Sequence, residues 1–258
     1  MTARTDIQRA RDLLASARSV AVLTGAGISA ESGLRTFRGA TKEDLPADMR
    51  SLWAEFDPQT LATPEAFAAD PEKVSRWYDW RRVGCLAAEP NAGHLALAAL
   101  ERAVTRRGGT FLLATQNVDG LHARAGSMNV VELHGTILVW RCTATGRRLT
   151  PGAGAMEAYP PESPFAEGAL LRPDVVWFGE MLPEAALLAA GEAAAECDVF
   201  LSVGTSSVVY PAAGLVQVAR SRGARVIEVN PEPTPLSPLA EVVVRASAAA
   251  ALPGMVGG

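Results

Sequence analysis

The chain has 258 residues, nearly half of them hydrophobic and a fifth charged, which suits one large soluble domain or a domain with a sizeable insertion. A net charge of -4 argues against a nucleic-acid-binding surface, and no apolar run approaches the length of a membrane span. Three cysteines without a pairing pattern (Cys85, Cys142 and Cys197) point to a reducing, cytoplasmic setting without structural disulfides.

The arginine-rich start, MTARTDIQRARDLLASARS, has the flavour of a transit peptide, but Asp6 and Asp12 argue against one. Ile7, Ala10, Leu14 and Ala17 fit one helical face, so the segment is expected to be the first structural helix. Residues 20–24 suit a buried strand, which breaks at Gly25-Ala26-Gly27 and leads into small residues able to open a helix. A strand feeding G-x-G-x-x-A is a place where backbone N–H groups meet a pyrophosphate; a plain tight turn needing positive φ reads equally well from these residues alone.

Residues 37–85, rich in Trp, Phe and Pro with helical pieces between turns, look like an inserted helical module. A helix is expected over 92–106, ended by Gly108-Gly109, then strands over 110–115 and 130–133. From 139 to 171 periodicity is lost among glycines and prolines, which reads as a second, loop-dominated insertion. Strand 174–178, helix 183–196, strand 199–203, helix 211–222 and strands 225–229 and 241–245 complete the pattern. Strands alternating with helices imply an α/β fold with a Rossmann-like parallel sheet. The expected division is a nucleotide-binding domain from 1–36, 86–138 and 172–258, and a small domain from 37–85 and 139–171.

Ligands of open parallel sheets bind beyond the carboxyl ends of strands. Here those ends read GAGIS, TQNVDGLH, ELHG, WFGE, VGTSS and VNPEP, each polar or glycine-rich after an apolar strand, which suggests one shared crevice. The acidic residue that a dehydrogenase places about twenty positions after its glycine turn falls inside the aromatic insertion, so hydride transfer is disfavoured. His134, at a strand end, is the natural general-base candidate, against the plainer reading of a histidine hydrogen-bonded at a turn; His94 and His122 are weaker candidates.

The ordered blocks GAGISAESGLRTFRG, TQNVDGLH, ELHG, RPDVVWFGE, VGTSSVVYP and VNPEP resemble the sirtuins, NAD-dependent protein lysine deacylases, over most of the chain. The resemblance implies NAD and an acyl-lysine protein or peptide meeting in a cleft between a Rossmann-like domain and a two-insertion domain, with no nucleic acid or membrane involved. It puts Gly25, Ala26, Gly27, Ser29 and Glu31 in the NAD-binding loop and Phe37 and Arg38 on a flexible cofactor loop. Gln116, Asn117 and Asp119 would line the nicotinamide-ribose region, and Gly204, Thr205, Ser206, Asn230, Glu232 and Ala248 the adenosine side. Asn117, Asp119 and His134 would be catalytic, with His134 deprotonating a ribose hydroxyl after nicotinamide has left. Val175 and the stretch Trp177, Phe178, Gly179 and Glu180 would meet the substrate, the stretch by pairing its backbone with an extended peptide.

Tyr78 and Arg81, three positions apart, would share one face of a helix, where a guanidinium and a phenol could grip a carboxylate. Without the family context, a packed Tyr78 and a solvated Arg81 read better. With it, this pair resembles the branch that removes succinyl, malonyl and glutaryl groups, as do the small Ala62 and the loop residue Thr36. The chain departs from the family at its usual two Cys-x-x-Cys pairs. Cys142 stands at the first zinc ligand, Thr145 at the second, and Glu162 and Glu167 loosely at the later pair. That is a poor donor set, so no zinc is expected. The alternatives are another NAD-consuming enzyme, such as an ADP-ribosyltransferase or NAD hydrolase, and a non-enzymatic NAD-sensing module.

Overall fold

The computed structural model describes residues 3–34 and 58–256. Helix α1 (Ala3–Ser16) leads into β1 (Ser19–Thr24), which lies at the centre of a six-stranded sheet. Among the described residues of the first insertion three helices follow: the short α2 (Pro58–Leu61) and α3 (Pro64–Ala69) and the long α4 (Pro71–Ala87). Thr63 and Asp70 start the latter two, accepting from the N–H groups of Ala66 and Lys73, each with proline next in line. After them come α5 (Ala92–Arg106), β2 (Thr110–Thr115), the single turn α6 (Leu121–Arg124) and β3 (Val130–Glu132).

The last third supplies α7 (Glu184–Glu196), β7 (Val199–Val203), α8 (Leu215–Ser221), β8 (Arg225–Val229), β9 (Val242–Val244) and α9 (Ala248–Val256). The sheet runs β3-β2-β1-β7-β8-β9, every pair parallel, with Val22 beside Leu113 on one side and Leu201 on the other. Successive side chains leave a strand on opposite faces. Val20 and Val22 therefore join Leu14, Leu97, Leu100 and Leu252 beneath α1, α5 and α9. Ala21 and Leu23 join Phe200, Ala190, Ala194 and Leu215 beneath α7 and α8. Burial on both faces explains why these strands read as unbroken apolar runs.

One expectation is corrected. The strand read at 174–178 does not enter the parallel sheet. It is β6 (Leu171–Val175), antiparallel to β4 (Gly135–Cys142), which also pairs with the two-residue β5 (Arg148–Leu149). Gly135 turns the chain away just past His134: its φ is 71°, and a Cβ there would stand 2.2 Å from the Asp174 carbonyl oxygen. β4 thus runs through the boundary expected between 138 and 139, in a stretch read as mainly loop. This small sheet and helix α4 share a third core, where Trp77, Tyr78, Trp140, Val175 and Trp177 meet.

Candidate active site

A cleft of about 1540 Å³ opens at the carboxyl ends of β1, β2, β7 and β8 and reaches across to α4 and the chain after β6. Its floor is made by two loops in contact. Gly25 N–H donates to the Val203 carbonyl (3.1 Å) and Gly27 N–H to that of Gly204 (2.8 Å). A Cβ on Gly27 would stand 2.7 Å from the Cα of Gly204, and one on Gly25 would stand 2.9 Å from the Gly204 oxygen. Gly25 itself is extended, at φ -132°, so close approach to the opposite loop is what requires glycine here, not a left-handed turn.

Buried polar groups brace this floor. The Asn117 amide donates to the Gly25 carbonyl and to Ser29 Oγ, both at 3.1 Å, and Ser29 donates to Asp119 Oδ2 at 2.7 Å. Asp119 Oδ1 accepts from Leu121 N–H, which starts α6. Behind them stand two fully buried histidines. His94 Nδ1 accepts from Asn91 N–H, so its other nitrogen carries the proton, 3.4 Å from Ser29 Oγ. His122 contacts Thr24 Oγ1 at 2.9 Å, and burial pushes its pKa down to about 3, with His94 adding a smaller push. Burial lowers the His94 pKa as well, so both rings favour the neutral form. Across the floor, Gln116 donates to Thr205 Oγ1 and Asn230 to the Thr205 carbonyl, each at 2.9 Å. Glu31 accepts from Ala249 N–H and so caps α9.

His134 follows β3 and faces the cleft. Its Nδ1 lies 3.0 Å from the Gln116 carbonyl, which can only accept. Nδ1 therefore bears the proton, and Nε2 is left as a proton acceptor. Burial lowers its pKa from the usual imidazole value, and the bond to the Gln116 carbonyl opposes part of that shift. Glu132, two residues earlier, is pushed up to about 7 by burial and by the nearby Asp119 and Asp174.

The far end of the cleft is aromatic. Tyr78 is buried between Trp77 (4.6 Å between ring centroids, edge-on) and Trp177 (6.2 Å). Burial pushes its phenol up to about 12, so it stays protonated and able to donate. The Arg81 guanidinium lies 4.8 Å from the Trp77 ring centre and 5.7 Å from that of Tyr78. Arg81 is the only arginine or lysine among the described residues lining the cleft. Ala62 is buried, and its carbonyl accepts from Phe178 N–H at 2.8 Å.

Among the described residues, every expected site residue but one lines this one cavity. Ala248 packs into the core beneath the sheet, and its neighbour Ser247 lines the cleft. Phe37 and Arg38 lie outside the described residues, as does Thr36. The stretch from Trp177 to Glu180 lines the cavity, but it is not the extended edge that strand addition needs. It is a turn closed by Glu180 N–H on the Trp177 carbonyl, with Gly179 at φ 87°. Sequence reasoning also missed Arg172, whose guanidinium grips Glu180 at 2.6 and 3.0 Å and stacks on the Trp177 ring. The residues before WFGE hold no signal for that fold-back.

The Sir2 family model matches residues 25–211. An NAD-dependent protein deacylase of Thermus thermophilus is 54% identical over 244 residues, covering 94% of this chain and 91% of that protein. This chain belongs to the Sir2 family. The Deinococcus radiodurans NAD-dependent protein deacylase is 51% identical over 251 residues, with 96% and 97% covered. A solved Sir2 homologue in complex with NAD superposes with a TM-score of 0.85 at 43% identity, covering 96% of this chain and 92% of that one.

Cys142 is buried, with the hydroxyls of Ser163 and Thr145 hydrogen-bonded to its sulfur, while Glu162 and Glu167 are exposed. Among the described residues no three His, Cys, Asp or Glu side chains could hold a metal ion together. Phe165 packs against the small core instead, under the Arg147 guanidinium at 4.3 Å.

Proposed function

We propose that this chain is an NAD-dependent protein lysine deacylase that prefers acidic acyl groups, succinyl, malonyl or glutaryl, and acts weakly on acetyl. NAD supplies the electrophilic ribose carbon and the nicotinamide leaving group. The chain supplies two glycine-tight loops for the nucleotide, with Gly25, Ala26, Gly27, Ser29 and Glu31 on one side and Gly204, Thr205, Ser206, Asn230 and Glu232 on the other. Gln116, Asn117 and Asp119 hold the nicotinamide-ribose region, and His134 accepts a ribose-hydroxyl proton at Nε2. The observation that carries the reading is that tautomer, held by the Gln116 carbonyl with the accepting nitrogen left for substrate.

The acyl preference rests on Arg81 as the single described cation in the cleft wall, beside a phenol that stays protonated. A carboxylate reaching that end of the cleft meets one positive charge and one donor, while an acetyl methyl can pair with neither. The small domain, 37–85 and 139–171, is proposed to supply this half of the site and to hold together without structural zinc, by packing. A panel of acyl-lysine peptides with NAD, read as nicotinamide release and O-acyl-ADP-ribose by mass, tests both parts. Arg81→Met is expected to lower kcat/KM for succinyl-lysine by roughly a hundredfold, the worth of a charge-assisted pair, and to spare acetyl-lysine. Faster cleavage of acetyl than succinyl peptides by the unaltered protein would sink the acyl preference. ADP-ribose formed without any acyl-lysine would sink the deacylase reading.

A further inference from the structure

Helix α4 carries a second pair one position on from the first, and it faces away from the cleft. Asp79 and Arg82 are both buried, at 0% and 1% exposure, in a helix whose neighbouring residues Tyr78 and Arg81 line the site. A step of one residue turns a helix by about 100°, so the two pairs occupy adjacent faces. Arg82 Nε donates to Asp79 Oδ1 at 2.7 Å. Its terminal nitrogens reach across to the second insertion and donate to the carbonyls of Gly152 (2.6 Å) and Gly154 (2.5 Å). Asp79 Oδ2 accepts from Met156 N–H at 2.8 Å and from the Tyr159 hydroxyl. Arg76, one turn earlier, lies over the Tyr159 ring at 5.0 Å.

Arg82 Nε and Asp79 Oδ1 bind each other, and the remaining polar atoms of the pair all hold one segment, 152–159, which has no helix or strand of its own. A buried charge pair is costly to desolvate, and its best-attested use is to fix one arrangement out of several. A hydrophobic contact would let α4 rotate about its axis or slide by part of a turn. Five directed hydrogen bonds, four of them to fixed carbonyl, amide and phenol positions, do not. Rotation of α4 is what would carry Arg81 and Tyr78 away from the end of the cleft.

We propose that Asp79 and Arg82 are positioning residues for the acyl end of the site: they lock 152–159 onto the back of α4 and so set where Tyr78 and Arg81 stand. The inference rests on the reading above that these two residues receive the acyl group. It assigns the glycine-rich second insertion a part in substrate selection, although that segment does not line the cleft.

The test uses Tyr159→Phe and Asp79→Asn in the full chain. Each is assayed with NAD and the acyl peptide that the unaltered protein cleaves fastest, whatever its acyl group. Hydrogen exchange of the α4 amides is followed by mass spectrometry. KM for the acyl peptide is expected to rise severalfold in Tyr159→Phe and about tenfold in Asp79→Asn. KM for NAD should stay within a factor of about two, and α4 should exchange faster. A merely structural role would lower the amount of active protein and leave both KM values alone. Tyr159→Phe removes one hydroxyl and is expected to fold, so it decides the matter if Asp79→Asn does not. Unchanged acyl-peptide KM and unchanged α4 exchange in a folded Tyr159→Phe would overturn the proposal. A preference for acetyl in the unaltered protein would instead overturn the acyl reading, leaving the positioning role to be judged by the same KM shift.

Discussion

His134 can act as a base only while its ring is neutral, and two neighbours decide how far that state extends. Burial disfavours the imidazolium, so the pKa lies below the ordinary value, and the Gln116 carbonyl holds the remaining proton on Nδ1. Lowering the pKa widens the neutral range toward acid. The acid limb of kcat/KM is therefore expected to have its midpoint below pH ~6.5, with activity rising to its plateau above that midpoint. A pH profile with its acid midpoint above that value would contradict the assignment, and His134→Ala should remove the limb along with roughly a thousandfold of the rate. At this scale the sequence shows which residue types stand where and says little of how each is held. A lone histidine at a strand end is visible in ELHG. The carbonyl that sets its tautomer comes from Gln116, eighteen residues earlier at the end of another strand, and backbone carbonyls leave no mark in a sequence. The Ser29, Asn117 and Asp119 triangle was visible as residue types and invisible as hydrogen bonds.

At the scale of elements, the two glycine loops are one device. Gly27→Ala would drive a methyl into backbone, with Gly204 Cα 2.7 Å away and no flexible side chain to yield. A destabilisation of about 1–3 kcal/mol is expected, together with weaker NAD binding. Thermal melting and NAD titration check both, and an unaltered melt would show that the loops do not need their contact. Strands 110–115, 199–203 and 225–229 and helix 92–106 lie where hydrophobic patterning puts them, because each is buried by neighbours close in the α/β layering. β6 was assigned to the wrong sheet for the same reason: an apolar run states that a strand is buried, not which partner buries it. Its partner β4 offers no period-two pattern to read, because its burial is irregular and its register against β6 shifts between Thr136 and Trp140. Ala248, expected near the adenine, turns its side chain into the core, while Ser247 just before it lines the cleft.

For the whole molecule, the described residues of the proposed small domain meet in an aromatic core, the Asp79–Arg82 pair and the Arg147–Phe165 stack, none of which needs a metal. Where a structural zinc contributes to folding, chelation unfolds the module that binds it. Here prolonged chelator treatment is expected to shift Tm by less than about 1 °C and to leave deacylation intact. A large drop, or stoichiometric zinc in protein purified without chelator, would mean that donors outside the described residues complete a site. The overall layering was legible from the alternation of strands and helices, and the cleft from its polar strand ends. The small sheet was not, because the pairing of β4 with β6 joins residues about thirty to forty positions apart across a stretch without periodicity.

The central position of β1 has a consequence for how the protein is made. One of its two flanking strands is β2; the other, β7, comes from the last third of the chain, and Arg18 N–H meets the Asp198 carboxylate across 180 positions. A ribosome adding about 5–20 residues each second leaves one edge of β1 without its permanent neighbour for something like ten to forty seconds. During that interval a strongly apolar strand is exposed to other nascent chains and to chaperones. Chains stalled before residue 199 should stay sensitive to protease, and those stalled beyond residue 256, with the ribosomal exit tunnel cleared, should resist it; resistance in the shorter set would mean that the sheet closes in another order.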